Sequence, residues 1–477
     1  MRAVLILGAL LLTGIAGAAE RPNILFIMAD DLGAADLSVY GRRDYTTPNL
    51  DSIARDGVRF TDAYANSADD TGTRTALITG RYQYRYPVGL EEPLTQRPVG
   101  LEPDVVTLPS LLQQAGYETA LVGKWHLGNL PNYGPDKSGY KHFWGYRSEA
   151  IDYFTHKNND GQYDLWSNNE PTFEDGYLTD LVGNHAIDLI KEMNATGNPF
   201  FLSVHFNAPH WPWTGPDDVE ESIRLDQIAD QTLRLLHTDG GGMSAYAQMV
   251  QRLDDQVGAV LATLEQLGIA DQTIVVFTSD NGGERFSDNW PHSGMKTELL
   301  EGGIRVPVLV RWPGVAASNT VNQSPIMSID WMPTFLAAAG VEQPLGADPF
   351  DGVDITTAIA GNELAERTLF WRFKHLNQAA VRKGDYKYLR IANYDFLFNL
   401  KNDPGERVNL KNREPTRYTD LLRAWVDWNA GMLPIDNESF SRGINGRQLA
   451  DHFGVEPGAA QLTEMGADRN SGEISGE

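Results

Sequence analysis

Four short apolar runs along the chain each end in polar residues that are suited to chemistry. They occupy residues 23–31, 118–126, 200–210 and 273–281. Continuous apolar runs of this length predict strands that are buried on both faces, as in a parallel sheet. The polar residues then lie at the carboxyl end of each predicted strand.

Helical periodicity separates these predicted strands. Apolar residues recur on one face of a helix predicted over 244–268, and Gly268 ends it. Segments 47–57 and 177–193 show the same pattern. Strands that alternate with helices predict an α/β fold with a large, mostly parallel sheet covered on both faces. In such sheets the functional site lies beyond the carboxyl ends of the strands.

The pattern changes after about residue 365. Short alternating segments predict antiparallel strands joined by turns, and an amphipathic segment predicts a helix after them. These segments are 369–375, 378–391, 394–400 and, for the helix, 418–432. We therefore expect a larger N-terminal unit over 19–364, a small antiparallel subdomain over 365–464, and a disordered polar tail over 465–477.

The N-terminus and the composition restrict the possible functions. Residues 1–18 combine the basic Arg2, a short apolar run and the small residues Ala16 to Ala18, which is typical of a cleaved signal peptide. We expect an exported protein, periplasmic or secreted, without a stable membrane anchor. A formal net charge of −25 argues against nucleic acid as the partner. The absence of cysteine excludes disulfides and thiolate chemistry.

The sequence offers two kinds of candidate chemistry. Oxygen ligands of the kind that Ca²⁺ and Mg²⁺ prefer come from Asp30, Asp31, Asp280 and Asn281. Candidate groups for binding an anion or moving a proton are Arg74, Lys124, Lys296, His126 and His210. Taken singly, each of these residues is more typical of a turn, a surface charge or a packed histidine. Two pairs of oxygen ligands at the ends of two predicted strands are what favours a metal site.

Seven stretches, in this order, resemble the type I sulfatases of the alkaline phosphatase superfamily. They are NILFIMADDLG, TRTALITGRYQYR, GYETALVGKWHLG, NAPHWPW, TSDNGG, MKTELLEGGIRVP and GDYKYL…LFNLKNDPGERVNL. The resemblance covers about residues 21 to 430. It implies an α/β/α sandwich with a C-terminal antiparallel subdomain. It also implies hydrolysis of aryl or carbohydrate sulfate esters with a divalent cation, Ca²⁺ or Mg²⁺.

The resemblance further implies roles for single residues. The positions that match the calcium ligands are Asp30, Asp31, Asp280 and Asn281. The positions that match the cations holding the sulfate group and the nucleophile are Arg74, Lys124 and Lys296. His126 matches the residue that helps to regenerate the nucleophile, and His210 matches the one associated with the leaving oxygen.

The chain departs from the family pattern at Asp70. The pattern is Cys or Ser, any residue, Pro or a small residue, any residue, Arg, then xxLxTGR. Anchored on Arg74, the nucleophile position falls on Asp70 and the proline position on Gly72. In the family the Cys or Ser is oxidised to formylglycine, whose hydrated form attacks sulfur. Aspartate cannot become an aldehyde by that route, so no formylglycine is expected at Asp70.

Four interpretations of this departure follow. In the first, Asp70 is a metal ligand in an inactive homologue that binds metal and sulfated or phosphorylated glycans. In the second, Asp70 attacks the ester or activates water, and catalysis persists. In the third, Thr71 or Thr73 is the nucleophile of a phosphate mono- or diester hydrolase. In the fourth, Asp70 replaces the Cys or Ser of a parent sequence. Because the other charged residues are present, we favour an active hydrolase.

Two aromatic-rich stretches bear on the substrate. They are 146–166 and 208–213. Such residues are suited to lining a pocket for a sugar or an aryl group, and equally to packing under long loops.

Overall fold

The computed structural model describes residues 21–441 except 91–92, 94–97, 230–233, 235–236, 238, 344–347 and 436. The expected signal peptide and the expected tail therefore lie outside the described residues. Within the described part of the chain, no helix has the length and apolar character needed to span a bilayer.

The strands and helices alternate through the N-terminal two thirds of the chain. The strands are β1 (Asn23–Ala29), β2 (Val58–Phe60), β3 (Ala63–Tyr64), β4 (Glu118–Lys124), β5 (His142–Tyr146), β6 (Trp166–Ser167), β7 (Glu170–Pro171), β8 (Phe200–His205), β9 (Thr273–Ser279), β10 (Val308–Arg311), β11 (Thr320–Asn322), β12 (Ile326–Met327), β13 (Thr368–Phe373), β14 (Gln378–Lys383), β15 (Tyr386–Ile391) and β16 (Tyr394–Asn399). The α-helices are α1 (Pro48–Arg55), α2 (Asp70–Thr79), α3 (Leu108–Gln114), α4 (Leu178–Ala195), α5 (Val219–Asp226), α6 (Met243–Gln266), α7 (Glu301–Ile304), α8 (Trp331–Ala339), α9 (Thr356–Ile359) and α10 (Pro415–Asn429).

A ten-stranded sheet forms the centre of the molecule, in the order β11-β2-β10-β9-β1-β8-β4-β5-β6-β7. The run from β9 to β5 is parallel throughout. Antiparallel pairing is confined to β10 on one side and to β6 and β7 on the other. Every residue of β1, β4, β8 and β9 is buried. The predicted mostly parallel central sheet is therefore confirmed.

Apolar side chains of β1 point alternately into two separate cores. Leu25 and Ile27 belong to the core beneath α1, α4 and α6. Ile24, Phe26 and Met28 belong to the core beneath α3 and α8 on the opposite face. A strand has a side-chain period of two residues, so an unbroken apolar run fills both layers. The result is a sheet sandwiched between two helical layers.

A second sheet, β13-β14-β15-β16, is antiparallel throughout, and α10 covers one of its faces. Its other face packs on the N-terminal unit, where Trp371 Nε1 donates to the carbonyl of Ala65 at 2.9 Å. Leu299 and Leu300 share this core. The predicted small antiparallel sheet with a helix is confirmed, and it lies against the segment that precedes α2.

Candidate active site

The ten residues expected from the sequence meet at one end of the central sheet. Asp30 and Asp31 follow β1, Lys124 ends β4, and His210 and Asp280 follow β8 and β9. The others are Asp70, Arg74, His126, Asn281 and Lys296. None of the ten is more than 3 % exposed. Because β1, β4, β8 and β9 are adjacent and parallel, their carboxyl ends bring distant parts of the chain together.

Asp70, the first residue of α2, lies between two buried lysines. Lys124 Nζ donates to Asp70 Oδ2 and, at 2.6 Å, to Asp30 Oδ2. Lys296 Nζ lies 3.1 Å from Asp70 Oδ1 and 2.8 Å from Asp31 Oδ1. Burial alone would raise the pKa of Asp70. The nearby Lys124, Lys296 and His126 outweigh this effect of burial and hold the pKa well below its usual range. The side chain is therefore an ionised carboxylate.

Arg74 joins the same cluster from the next turn of α2. Its Nη2 donates to Asp280 Oδ2 at 2.7 Å and lies 3.6 Å from Asp30 Oδ2. Its Nη1 lies 3.2 Å from Nδ1 of His205, which was absent from the residues expected from the sequence. His205 ends β8, so the rule that polar residues at strand ends form the site would have identified it.

The two expected histidines lie near different carboxylates. His126 Nδ1 lies 3.5 Å from Asp70 Oδ2, and His210 Nε2 lies 3.7 Å from Asp31 Oδ2. Burial lowers the pKa of both imidazoles, and that of His210 falls well below its usual range. His210 Nδ1 lies 2.8 Å from the carbonyl of Trp211, which only accepts, so we assign the proton to Nδ1. Its Nε2 is then an acceptor.

Backbone strain accompanies two of these residues. Asp31 has φ 64° and His126 has φ 50°. Non-glycine residues rarely adopt this left-handed conformation, and such strain concentrates at functional sites because it fixes the direction of a side chain. Asp31 is held there by Asp280 Oδ1, which accepts its backbone N–H at 3.2 Å.

Several buried ligand atoms of the cluster lie close enough together to hold one cation. The side-chain oxygens of Asp30, Asp70 and Asp280 approach within 4.8 Å of one another, as do ligand atoms of Asp30, Asp31 and His210. Asp30 Oδ1 and Asn281 Oδ1 are buried without a hydrogen-bond partner among the described residues. Asn281 donates its amide to Asp31 Oδ1 at 2.7 Å, which leaves its carbonyl oxygen free. The oxygen donors of Asp30, Asp31, Asp70, Asp280 and Asn281, some of them buried and unsatisfied, fit Ca²⁺ or Mg²⁺.

The hydroxyls of Thr71 and Thr73, next to Asp70, contact groups other than the two lysines. Thr73 Oγ1 accepts from the backbone N–H of Ser67 at 3.0 Å. Thr71 Oγ1 lies 3.3 Å from the carbonyl of His126 and 3.4 Å from its Nδ1. Asp70 is thus the residue of this segment that contacts both lysines.

The sequence pattern also did not select Glu284, a further buried acid near the cluster. It is 7 % exposed, and its Oε2 has no hydrogen-bond partner among the described residues. Burial, with the nearby Asp31, raises the pKa of Glu284 to about 8. It lies within the stretch SDNGGERF, whose local pattern indicates only a turn.

The two aromatic-rich stretches meet beside His210. Residues of both line one cleft, including Ile151, Asp152, Lys157, Trp211 and Pro212. The rings of Trp211 and His210 are in contact at an interplanar angle of 47°, with their centroids 4.0 Å apart. The cleft therefore adjoins the charged cluster on the His210 side.

Comparison with known proteins identifies the family. The sulfatase family model matches residues 22–341, and the model for the C-terminal part of N-sulphoglucosamine sulphohydrolase matches residues 295–424. The N-acetylgalactosamine-6-sulfatase of Sus scrofa is 34% identical over 467 residues, covering 86% of this chain and 85% of that protein. Arylsulfatase A of Bos taurus is 31% identical, covering 86% of this chain and 89% of that protein.

The fold agrees with this assignment. The structure of Ps i-CgsB in complex with k-i-k-neocarrahexaose superposes with a TM-score of 0.79 at 27% identity, covering 94% of this chain and 98% of the other. The protein belongs to the sulfatase family and is a sulfuric ester hydrolase.

Proposed function

We propose that this protein hydrolyses carbohydrate or aryl sulfate esters with a bound divalent cation, and that unmodified Asp70 stands at the nucleophile position. The observation that carries this proposal is the contact of one buried carboxylate with both Lys124 and Lys296. A reacting group needs that environment, because the same two cations can stabilise the negative charge that develops on a sulfuryl group during transfer.

The charge of the cluster supports a monoanionic substrate. With all four carboxylates ionised, as they would be around a bound metal, Asp30, Asp31, Asp70 and Asp280 outnumber the cations of Arg74, Lys124 and Lys296 by one. A divalent cation would turn this surplus into one positive charge. A sulfate monoester carries one negative charge and would balance it. Buried charge is stable only when it is compensated, so metal and sulfate ester complete the site together.

The low pKa of Asp70 favours nucleophilic attack over general base catalysis. A base is most effective when its pKa lies near the working pH, and Asp70 lies far below it. In the proposed reaction an oxygen of Asp70 bonds to sulfur, the bond from sulfur to the alcohol oxygen breaks, and an acyl sulfate forms. Water then cleaves the acyl sulfate, which releases sulfate and restores the carboxylate.

The two histidines are placed for the proton transfers. His126 is neutral and lies beside Asp70, so it can accept the proton of the attacking water in the second step. His210 lies on the side of the Trp211 cleft, where the alcohol would depart. The negative charge of a bound ester raises the pKa of His210, which lets the imidazole carry a proton to the leaving oxygen.

The residues proposed to hold the metal are Asp30, Asp31, Asp70, Asp280 and Asn281. When bound, a divalent cation supplies positive charge that polarises the sulfate group. Arg74 and Lys124 keep the carboxylates in place, since Arg74 binds Asp280 and Lys124 binds Asp30.

A sugar fits the cleft beside His210 better than a small aliphatic alcohol. The cleft combines the indole of Trp211 with the polar Asp152 and Lys157, a mixture suited to the faces and hydroxyls of a sugar ring. The relatives support this choice, since the porcine protein is named for N-acetylgalactosamine 6-sulfate and Ps i-CgsB was crystallised with an oligosaccharide.

We further propose export through residues 1–18 and a domain boundary near residue 364.

Release of sulfate tests this proposal. The wild-type protein and Lys296→Ala are assayed with Ca²⁺ against 4-nitrophenyl sulfate and N-acetylgalactosamine 6-sulfate. Loss of one group that stabilises developing charge lowers turnover by about 10²- to 10³-fold. The matched control is Lys141→Ala, because the side chain of Lys141 is 50% exposed and pairs only with Glu118 among the described residues. A silent wild type whose melting temperature still rises with Ca²⁺ and sulfate would identify a binding protein instead.

A further inference from the structure

Lys296 contacts Asp70 and Asp31 from a loop that has little regular structure. The segment from residue 293 to residue 300 lies between β9 and α7 and contains no strand or α-helix. A lysine side chain has four rotatable bonds, so an unrestrained loop would spread its ammonium group over several ångströms. Yet Nζ lies 3.1 Å from Asp70 Oδ1 and 2.8 Å from Asp31 Oδ1. Something must therefore fix the backbone beneath it.

The residue after Lys296 shows that the backbone is held against its own preference. Thr297 has φ 70°, in the left-handed region. A β-branched residue in this region is a true outlier, because its side chain crowds the backbone there. Strained residues persist only where their surroundings hold them. Thr297 is 5 % exposed, and its N–H donates to the carbonyl of Ala68 at 2.7 Å, two residues before Asp70.

One buried side chain of the C-terminal sheet binds the backbone at this strained residue and two residues after it. Gln378, the first residue of β14, is 1 % exposed. Its Nε2 donates to the carbonyl of Thr297 at 2.9 Å, and its Oε1 accepts the N–H of Leu299 at 2.7 Å. The second proton of Nε2 goes to the carbonyl of His375 at 3.0 Å. The amide thus ties the Lys296 loop to the sheet.

Other C-terminal residues anchor the two ends of the same loop. Ser293 Oγ donates to the carbonyl of Gly405 at 2.6 Å. The N–H of Glu301 donates to Glu406 Oε2 at 2.7 Å, and Lys387 Nζ lies 2.9 Å from Glu301 Oε1. Gln378 binds the middle of the loop, nearest to Lys296.

We propose that Gln378 is a positioning residue for Lys296, and that the C-terminal sheet thereby completes the active site. The proposal rests on the role of Lys296 in the proposed function. It assigns the small sheet a part in catalysis, because the sheet fixes the loop that carries one of the two lysines contacting Asp70. Without the two hydrogen bonds that Gln378 makes to the loop, Thr297 would relax from its strained conformation and carry Lys296 away from Asp70.

The test compares Gln378→Leu with Asn322→Leu. Asn322 is a matched control, since it is a buried amide that also makes three hydrogen bonds to backbone groups, those of Ala358, Asn362 and Ser324. It ends β11, which is separated from β9 by β2 and β10. Both substitutions remove an equivalent set of hydrogen bonds and should lower the melting temperature to a similar extent.

Two readouts separate positioning from general stability. The first is hydrogen exchange of the backbone over residues 293–301, measured by mass spectrometry with Ca²⁺ present. It should speed up in Gln378→Leu and stay unchanged in Asn322→Leu. The second is turnover of 4-nitrophenyl sulfate below the melting temperature of every variant. A misplaced catalytic group costs on the order of 10²-fold, so kcat should fall by about 10- to 100-fold in Gln378→Leu alone.

A double mutant makes the second readout specific. In a Lys296→Ala background, Gln378→Leu should change kcat less than twofold, because the group that it positions is gone. Unchanged exchange over 293–301, or an equal loss of kcat in both backgrounds, would overturn the proposal. If the wild type has no turnover but exchange speeds up as expected, the proposed function fails while the positioning of the loop by Gln378 stands.

Discussion

Replacing Asp70 by asparagine should have opposite effects on anion binding and on turnover. Asp70 brings its own negative charge to Lys124 and Lys296, the two cations that would otherwise bind the sulfate group. The carboxylate therefore repels the substrate while it serves as the reacting group. Asp70→Asn keeps the shape of the side chain, removes the charge and removes the nucleophile.

Coulomb's law sets the scale of the first effect. At about 5 Å from Asp70, a sulfate dianion seated against the same lysines would interact with the carboxylate by about 6–7 kcal/mol at an effective dielectric of about 20. Inorganic sulfate should accordingly bind on the order of 10⁴-fold more tightly to Asp70→Asn. Turnover should fall by about 10³-fold or more, because the amide oxygen is a poor nucleophile. Stability should change little, since Lys124 keeps Asp30 at 2.6 Å and Lys296 keeps Asp31 at 2.8 Å.

The assay is calorimetric titration with sodium sulfate in Ca²⁺-containing buffer, beside turnover of 4-nitrophenyl sulfate. Asp188→Asn is the control, because it removes the charge of a carboxylate whose side chain is 67% exposed and pairs with Lys191 rather than with Lys124 or Lys296. Sulfate affinity that is unchanged or weaker in Asp70→Asn would refute the idea that Asp70 and sulfate share these cations. Turnover that persists in Asp70→Asn would exclude Asp70 as the nucleophile.

Three other predictions concern metal, charge and pH. Chelation should lower the melting temperature and added Ca²⁺ should restore it, because the bound ion would satisfy the buried oxygens of Asp30 and Asn281. A melting temperature that chelation leaves unchanged would contradict a bound cation. Lys387→Met should destabilise the fold by about 3–5 kcal/mol in chemical unfolding, because it leaves Glu301 and Glu406 buried without their shared cation; the exposed Lys141→Met should cost less than about 1 kcal/mol. Burial raises the pKa of Glu298 from 4.5 to about 8, so the stability that its protonated form contributes is lost as the pH rises through that interval. The free energy of unfolding should therefore fall from pH 5 to pH 8.5 more steeply in the wild type than in Glu298→Gln. Parallel pH profiles of the two proteins would contradict this.

The sequence was sufficient to predict the sheet and the end of it at which the candidate residues meet. An apolar run that ends in polar residues has only one good location in an α/β protein, and Asp30, Lys124 and Asp280 occupy it as expected. The antiparallel sheet was equally visible in its alternating pattern, and Gly268 marks the end of α6 with φ 69°. These features depend on local periodicity, which a single sequence carries.

The remaining features depend on contacts between distant segments. Neither Lys296 nor Gln378 stands out locally, and their connection spans two sheets through the backbone of Thr297 and Leu299. The ion pairs that surround Asp70 also come from separate segments, so the low pKa of this carboxylate could not be read from its neighbours in sequence. Glu284 was missed because its burial, rather than its local motif, makes it unusual.

The most direct test is sulfate release by the wild-type protein, measured together with the mass of the peptide that contains Asp70. The protein is incubated with N-acetylgalactosamine 6-sulfate and Ca²⁺, free sulfate is quantified by ion chromatography, and the same preparation is digested for mass spectrometry. We expect catalytic release of sulfate by a protein whose residue 70 is unmodified aspartate. A protein that binds Ca²⁺ and sulfate, yet releases none from this ester or from 4-nitrophenyl sulfate, would contradict the proposed hydrolase.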